Sequence, residues 1–116
     1  MKVSVKICGI SDARGLVAAV EAGASYVGFV FFRRSPRYVT LDTAAELVAA
    51  LPRTVTPVGL FVNPTESDLD AVISHVRLGM VQLHGRETPE RVDAVRAAFG
   101  LPVIKAIGVS TAQDIR

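Results

Sequence analysis

Tyr26-Val27-Gly28-Phe29-Val30-Phe31-Phe32 is apolar along its whole length, on both faces of an extended chain. A strand with one wet face alternates apolar and polar, so an unbroken run of this kind belongs in a parallel sheet covered by helices. Just upstream, Ala13, Leu16, Val17 and Val20 recur at i, i+3, i+4 and i+7, the buried face of a helix. Ser11-Asp12 can cap its start and Gly23 its end. Upstream again, Val3-Ser4-Val5-Lys6-Ile7 is a β-branched run that closes on Cys8-Gly9.

Downstream the same plan repeats. Thr40 caps a helix whose Ala44, Leu47, Val48 and Leu51 form one stripe before Pro52 stops it. A strand over 55–62 ends in Asn63-Pro64, and Thr65 opens a helix with Leu69, Val72, Ile73 and Val76 inward. A short strand over 80–83 ends in His84-Gly85. Thr88-Pro89 then starts a helix with proline at its first position and Val92, Val95 and Phe99 inward. Gly100-Leu101-Pro102 turns the chain into a fifth strand over 103–107. Ser110-Thr111-Ala112-Gln113 has the form of a capping box and announces a fifth helix, of which only Asp114, Ile115 and Arg116 follow. Strand and helix thus alternate in units of about 23 to 30 residues, the pattern of parallel βαβ units with right-handed crossovers.

The 116 residues suit one domain, expected to span 1–116, and half of them are hydrophobic, which excludes a disordered chain. Ten Arg against three Lys give a formal charge of +2. That balance favours an anionic small ligand and is too weak for nucleic acid. One cysteine forms no internal disulfide, no signal-type segment opens the chain, and no run reaches the roughly twenty clean apolar residues of a membrane span. A cytoplasmic protein is expected, with neither membrane nor nucleic acid as a partner.

Ligands of parallel α/β proteins sit at the carboxyl ends of the strands. Those ends carry Cys8, the basic loop Arg33 to Arg37, Asn63, Gln82 with His84, and Lys105, a polar ring on an apolar scaffold. Each has an ordinary structural alternative. A lone cysteine beside an apolar strand is more often a packing residue, and Asn before Pro is a common turn former. Arginines ahead of Ser-Pro usually form a solvated loop, and His84 has no ligand-spaced partners for a metal. Lys105 either pairs with an acid in a barrel interior or snorkels outward.

The order of the segments discriminates. Lys6-Ile7-Cys8-Gly9-Ile10, Gly28-Phe29-Val30-Phe31-Phe32 with Ser35-Pro36-Arg37-Tyr38-Val39, Val58-Gly59-Leu60-Phe61-Val62-Asn63, Val81-Gln82-Leu83-His84-Gly85 and Val103-Ile104-Lys105-Ala106-Ile107 follow one another at natural spacing. Block by block they resemble the N-terminal half of the phosphoribosylanthranilate isomerase family, over essentially the whole chain. The resemblance implies an α/β fold of the (β/α)8 TIM-barrel type, truncated to about five parallel βα units. It also implies a cofactor-free Amadori rearrangement in tryptophan biosynthesis, converting N-(5-phosphoribosyl)anthranilate to the carboxyphenylamino-deoxyribulose phosphate.

That chemistry needs an acid to protonate the ribose ring oxygen and open a Schiff base, and a base to remove the sugar C2 proton. By resemblance the base maps onto Cys8; thiols suit the role because positive surroundings draw their ordinary pKa of about 8.5 towards neutrality. Arg37 would grip the anthranilate carboxylate through paired hydrogen bonds, with Asn63, Gln82 and His84 supporting at the pocket rim. The family's acid, an aspartate ending the sixth strand, and its glycine-rich phosphate loops have no counterpart here, and Asp114 does not match the acid. The 116 residues are therefore expected to be inactive alone. Five strands do not close an eight-stranded barrel, so the first and fifth would present edges open to self-association. Two alternatives stand beside this reading: a non-catalytic, five-stranded flavodoxin-like binding or scaffold module, and a fragment that works with a separately encoded C-terminal half.

Overall fold

A computed structural model describes residues 5–106. Five strands alternate with four helices: β1 (Lys6–Ile7), α1 (Ala13–Glu21), β2 (Tyr26–Val30), α2 (Leu41–Ala49), β3 (Thr56–Phe61), α3 (Glu66–Ile73), β4 (Met80–Leu83), α4 (Pro89–Phe99) and β5 (Val103–Lys105). All pairings are parallel and the strand order is β1-β2-β3-β4-β5, the order of the sequence. This order removes the flavodoxin-like alternative, in which the chain reverses direction across the sheet and runs 2-1-3-4-5. Consecutive right-handed crossovers without reversal put the helices on one face, the winding of a β/α barrel.

The capping chemistry expected from the sequence is present. Asp12, Thr40, Thr65 and Thr88 are the N-caps, each accepting from a backbone N–H three residues on, and Pro89 opens α4. Thr65 and Asp68 complete a reciprocal capping box. Gly23 (φ +86°) follows α1 in the left-handed region; its N–H donates to Val20 O and that of Ala24 to Ala19 O, the two bonds of a Schellman motif.

Strand ends and one helix face differ from the expectation. β2 stops at Val30 and not Phe32, because the basic loop folds back and Val39 N–H takes the Val30 carbonyl (3.0 Å), forming a bridge between Val30 and Tyr38. β3 is shorter by a residue at each end. The inward face of α1 carries Leu16 and Ala19, with Val20 half-buried; Ala13 is exposed and Val17 is 53% exposed. Ala19 thus holds the buried place expected of Val17. The start of the first strand, Ile107 and the Ser110 to Gln113 capping box fall outside the described residues.

In-register pairs of a parallel sheet share a face. The row Phe29, Gly59, Val81, Val103 and the row Phe61, Leu83, Lys105 face the helices, and their apolar members, with Val27, Leu69, Val76 and Val95, form the core. The opposite rows, Gly28, Val58, Met80 and Val30, Leu60, Gln82, Ile104, face what is the interior of a barrel.

Candidate active site

Cys8 follows β1 on this interior face. A Cβ built on Gly28 would lie 3.1 Å from Cys8 Sγ and 3.0 Å from Leu60 Cδ1, so the absence of a side chain at 28 makes room for the thiol. The segment after Cys8 is pinned to β2, with Gly9 and Ile10 N–H both donating to Gly28 O at 3.0 and 3.1 Å. Gly9 has φ +81°, and its missing Cβ would sit 2.8 Å from a terminal nitrogen of Arg37 and against Arg37 Cδ. The Arg37 guanidinium therefore lies over the peptide next to Cys8.

Arg37 reaches that position because its loop is built locally. Ser35 N–H donates to Phe32 O (3.0 Å), Ser35 Oγ accepts from Arg37 N–H (3.1 Å), and Tyr38 N–H closes on Ser35 O (3.1 Å). The loop separates its arginines. Arg33 and Arg34 line a different cleft, of about 370 Å³, with Phe31, Tyr38, Phe61 and Asp68, and none of Cys8, Arg37, Asn63, Gln82 or His84 lines it.

Gln82 stands inside β4 on the interior face and is 6% exposed. Among the described residues its Oε1 is a buried acceptor without a hydrogen-bond partner. His84 follows the same strand, its N–H donating to Phe61 O at 2.8 Å. Partial burial pushes its imidazole below the ordinary value of 6.5, and the cations Lys6 and Lys105 push the same way against the opposing pull of Glu87. At neutral pH the ring is uncharged and keeps one acceptor nitrogen.

Asn63 and Lys105 belong to a second group, on the rim. Asn63 takes φ +45°; its N–H donates to Glu87 Oε2 (2.8 Å) and its Oδ1 accepts from Arg86 N–H (2.7 Å). Lys105, in the helix-facing row, donates to Glu87 Oε1 (2.7 Å) and to Gly85 O. Its acid partner thus lies in a loop and not in the barrel interior. Glu87 also accepts from Gly85 N–H (2.9 Å), and its side chain is 2% exposed. Burial alone would raise this carboxyl, but hydrogen bonds from Lys105 and backbone N–H groups, Asn63's included, hold it below the ordinary 4.5. The sequence reading missed Glu87; the signal for it was Lys105, a cation in an apolar strand that requires a buried counter-charge.

A singly wound parallel sheet with helices on one face, and with a thiol, a guanidinium, a buried amide and an imidazole at the strand mouths of the other, has the layout of a β/α barrel, whose ligands sit at the carboxyl ends of the strands. The model of the family described as N-(5'-phosphoribosyl)anthranilate (PRA) isomerase matches residues 5–116. The chain belongs to this family. It is 63% identical over 115 residues to the N-(5'-phosphoribosyl)anthranilate isomerase of Paracoccus denitrificans, covering 99% of this chain and 54% of that protein. The corresponding protein of Paramagnetospirillum magneticum is 57% identical over the same shares. Phosphoribosyl anthranilate isomerase from Thermotoga maritima superposes with a TM-score of 0.85 at 42% identity, over 98% of this chain and 55% of that one. A phosphoribosyl anthranilate isomerase in complex with reduced 1-(o-carboxyphenylamino)-1-deoxyribulose 5-phosphate matches with the same score and identity, over 98% and 58%. The chain spans about half the length of the relatives it matches.

None of the helices among the described residues is long and apolar enough to cross a membrane. The comparisons, which match the chain over 99% of its length, lend no support to the expectation that these 116 residues are inactive alone.

Proposed function

We propose that the protein carrying this chain isomerises N-(5'-phosphoribosyl)anthranilate to the 1-(o-carboxyphenylamino)-1-deoxyribulose 5-phosphate, with Cys8 as the base. The observation that carries the reading is the seating of the Arg37 guanidinium over Gly9, beside the interior-facing Cys8. Once the ribose ring has been opened by a general acid, Cys8 takes the C2 proton. The C2–H electron pair forms the enamine, and protonation at C1 leaves the ketone. Arg37 holds the anthranilate carboxylate at a fixed distance from that carbon, since a guanidinium grips a carboxylate by two parallel hydrogen bonds.

Gln82 and His84 line the path of the sugar. The unpaired Oε1 of Gln82 accepts from a ribose hydroxyl, and the neutral ring of His84 offers a second acceptor without repelling Arg37. Asn63 shapes the rim on which they stand. The substrate is thus an anionic small molecule, in keeping with the sugar-phosphate product analogue held by the solved relative.

The test is steady-state isomerisation with substitutions in the protein that carries this chain. Cys8→Ala should lower kcat by about 10²- to 10⁴-fold, the usual worth of a positioned acid or base. Arg37→Met should raise KM by about 10- to 100-fold, the equivalent of the roughly 1.5–3 kcal/mol carried by a hydrogen bond to a charged group. A Cys8→Ala enzyme with unchanged kcat would rule the assignment out.

A further inference from the structure

We infer that Glu87 is a positioning residue for the strand mouths, holding Asn63 and Gly85, and through Gly85 the adjoining His84, in their places. The kinetic part of this inference rests on the isomerase reading; the geometric part does not.

Glu87 gathers three separate parts of the barrel end. Its Oε2 accepts from Asn63 N–H in the loop after β3 (2.8 Å), and its Oε1 accepts from Gly85 N–H after β4 (2.9 Å) and from Lys105 Nζ at the end of β5 (2.7 Å). Lys105 in turn binds Gly85 O, and Asn63 Oδ1 accepts from Arg86 N–H, so the two loops are tied in both directions. A space-filling role would not call for a carboxylate, since a buried charge is costly unless every lone pair is met. An incidental surface ion pair would not recruit backbone donors from two loops. The side chain is 2% exposed and both its oxygens are occupied, so it has no free atom to offer a substrate. It acts through what it holds.

His84 reports on the arrangement. The charged groups that bear on its ring are Lys6 from β1, Lys105 from β5 and Glu87 from its own loop. Removing the Glu87 charge leaves both cations unopposed, so the imidazole takes up a proton at lower pH. A merely stabilising residue would lower the melting temperature without changing the kinetics of the folded fraction.

The experiment is Glu87→Gln in the full protein carrying this chain, followed by NMR titration of His84, amide exchange at Asn63 and Gly85, and steady-state kinetics. The expected result is a lower His84 midpoint, about tenfold or more loss of protection at both amides, and a fall of about 10²-fold in kcat/KM. An unshifted midpoint with wild-type protection at both amides would overturn the inference. If the unsubstituted protein shows no isomerisation, the functional reading fails and the two NMR measurements still decide the role of Glu87. If Glu87→Gln does not fold, Glu87→Asp keeps the charge and shortens the reach by one carbon. Lost protection with lowered kcat/KM then supports the inference, and wild-type values of both overturn it.

Discussion

Gly9 performs two tasks with one missing carbon. Its φ of +81° is costly for any side chain, and a Cβ would press into the Arg37 guanidinium. Gly9→Ala should therefore cost about 1–3 kcal/mol of stability from backbone strain, measured by urea unfolding. It should also raise KM, because Arg37 must move aside; an unchanged KM would mean that Arg37 does not work from this position. Gly28 is the complementary case, ordinary in backbone and needed for space, since its Cβ would crowd Cys8 Sγ at 3.1 Å. His84 belongs to this scale too. Its folded-state value lies below 6.5, so as pH falls through that region the unfolded chain is protonated first and stability declines. Lys105→Met removes one of the cations that depress it and should raise its NMR midpoint; a fall would contradict the electrostatic assignment.

At the level of elements, α1 shows how far periodicity reaches. The stripe at 13, 16, 17 and 20 is a correct helix signal with its face misjudged by part of a turn, because Ala19 and not Val17 meets the sheet. The two residues should separate in thermal or urea unfolding. Leu16→Ala, 4% exposed in the native state, should cost about 2–5 kcal/mol, whereas Val17→Ser should stay within about 0.5 kcal/mol of the parent. Equal costs would return Val17 to the core. The caps were legible for a simpler reason: an N-cap is satisfied within four residues, so Thr40, Thr65 and Thr88 needed no partner from elsewhere. Strand ends were less so, since β2 ends where Val39 N–H, nine residues on, claims the Val30 carbonyl.

For the molecule as a whole, Glu87 joins two loops and the last described strand, so its ionisation should register in global stability. Its folded-state value is depressed, so its contribution is fully present above the ordinary value near 4.5 and is lost as pH falls through the lower native value. The difference in unfolding free energy between the parent and Glu87→Gln should accordingly be constant near neutrality and shrink below about pH 4.5. A difference that stays constant through that region would show the carboxylate to be unpaired in the native state.

The sequence by itself determined the alternation of elements, the caps, the burial of β2 on both sides and the order of the polar strand ends, because each depends on composition within a few neighbouring residues. The five motif blocks, taken in order, also pointed to the family. Only the tertiary structure decided which polar residues meet. It turned Arg37 over Gly9 while sending Arg33 and Arg34 to another cleft, left Gln82 with an acceptor unmet among the described residues, and joined Asn63, Gly85 and Lys105 around Glu87. Gly85 is a near neighbour of Glu87, two residues away, but Asn63 and Lys105 lie 24 and 18 residues from it and Arg37 lies 28 from Gly9; what brings these together is sheet register and loop closure, which no local pattern of side chains encodes.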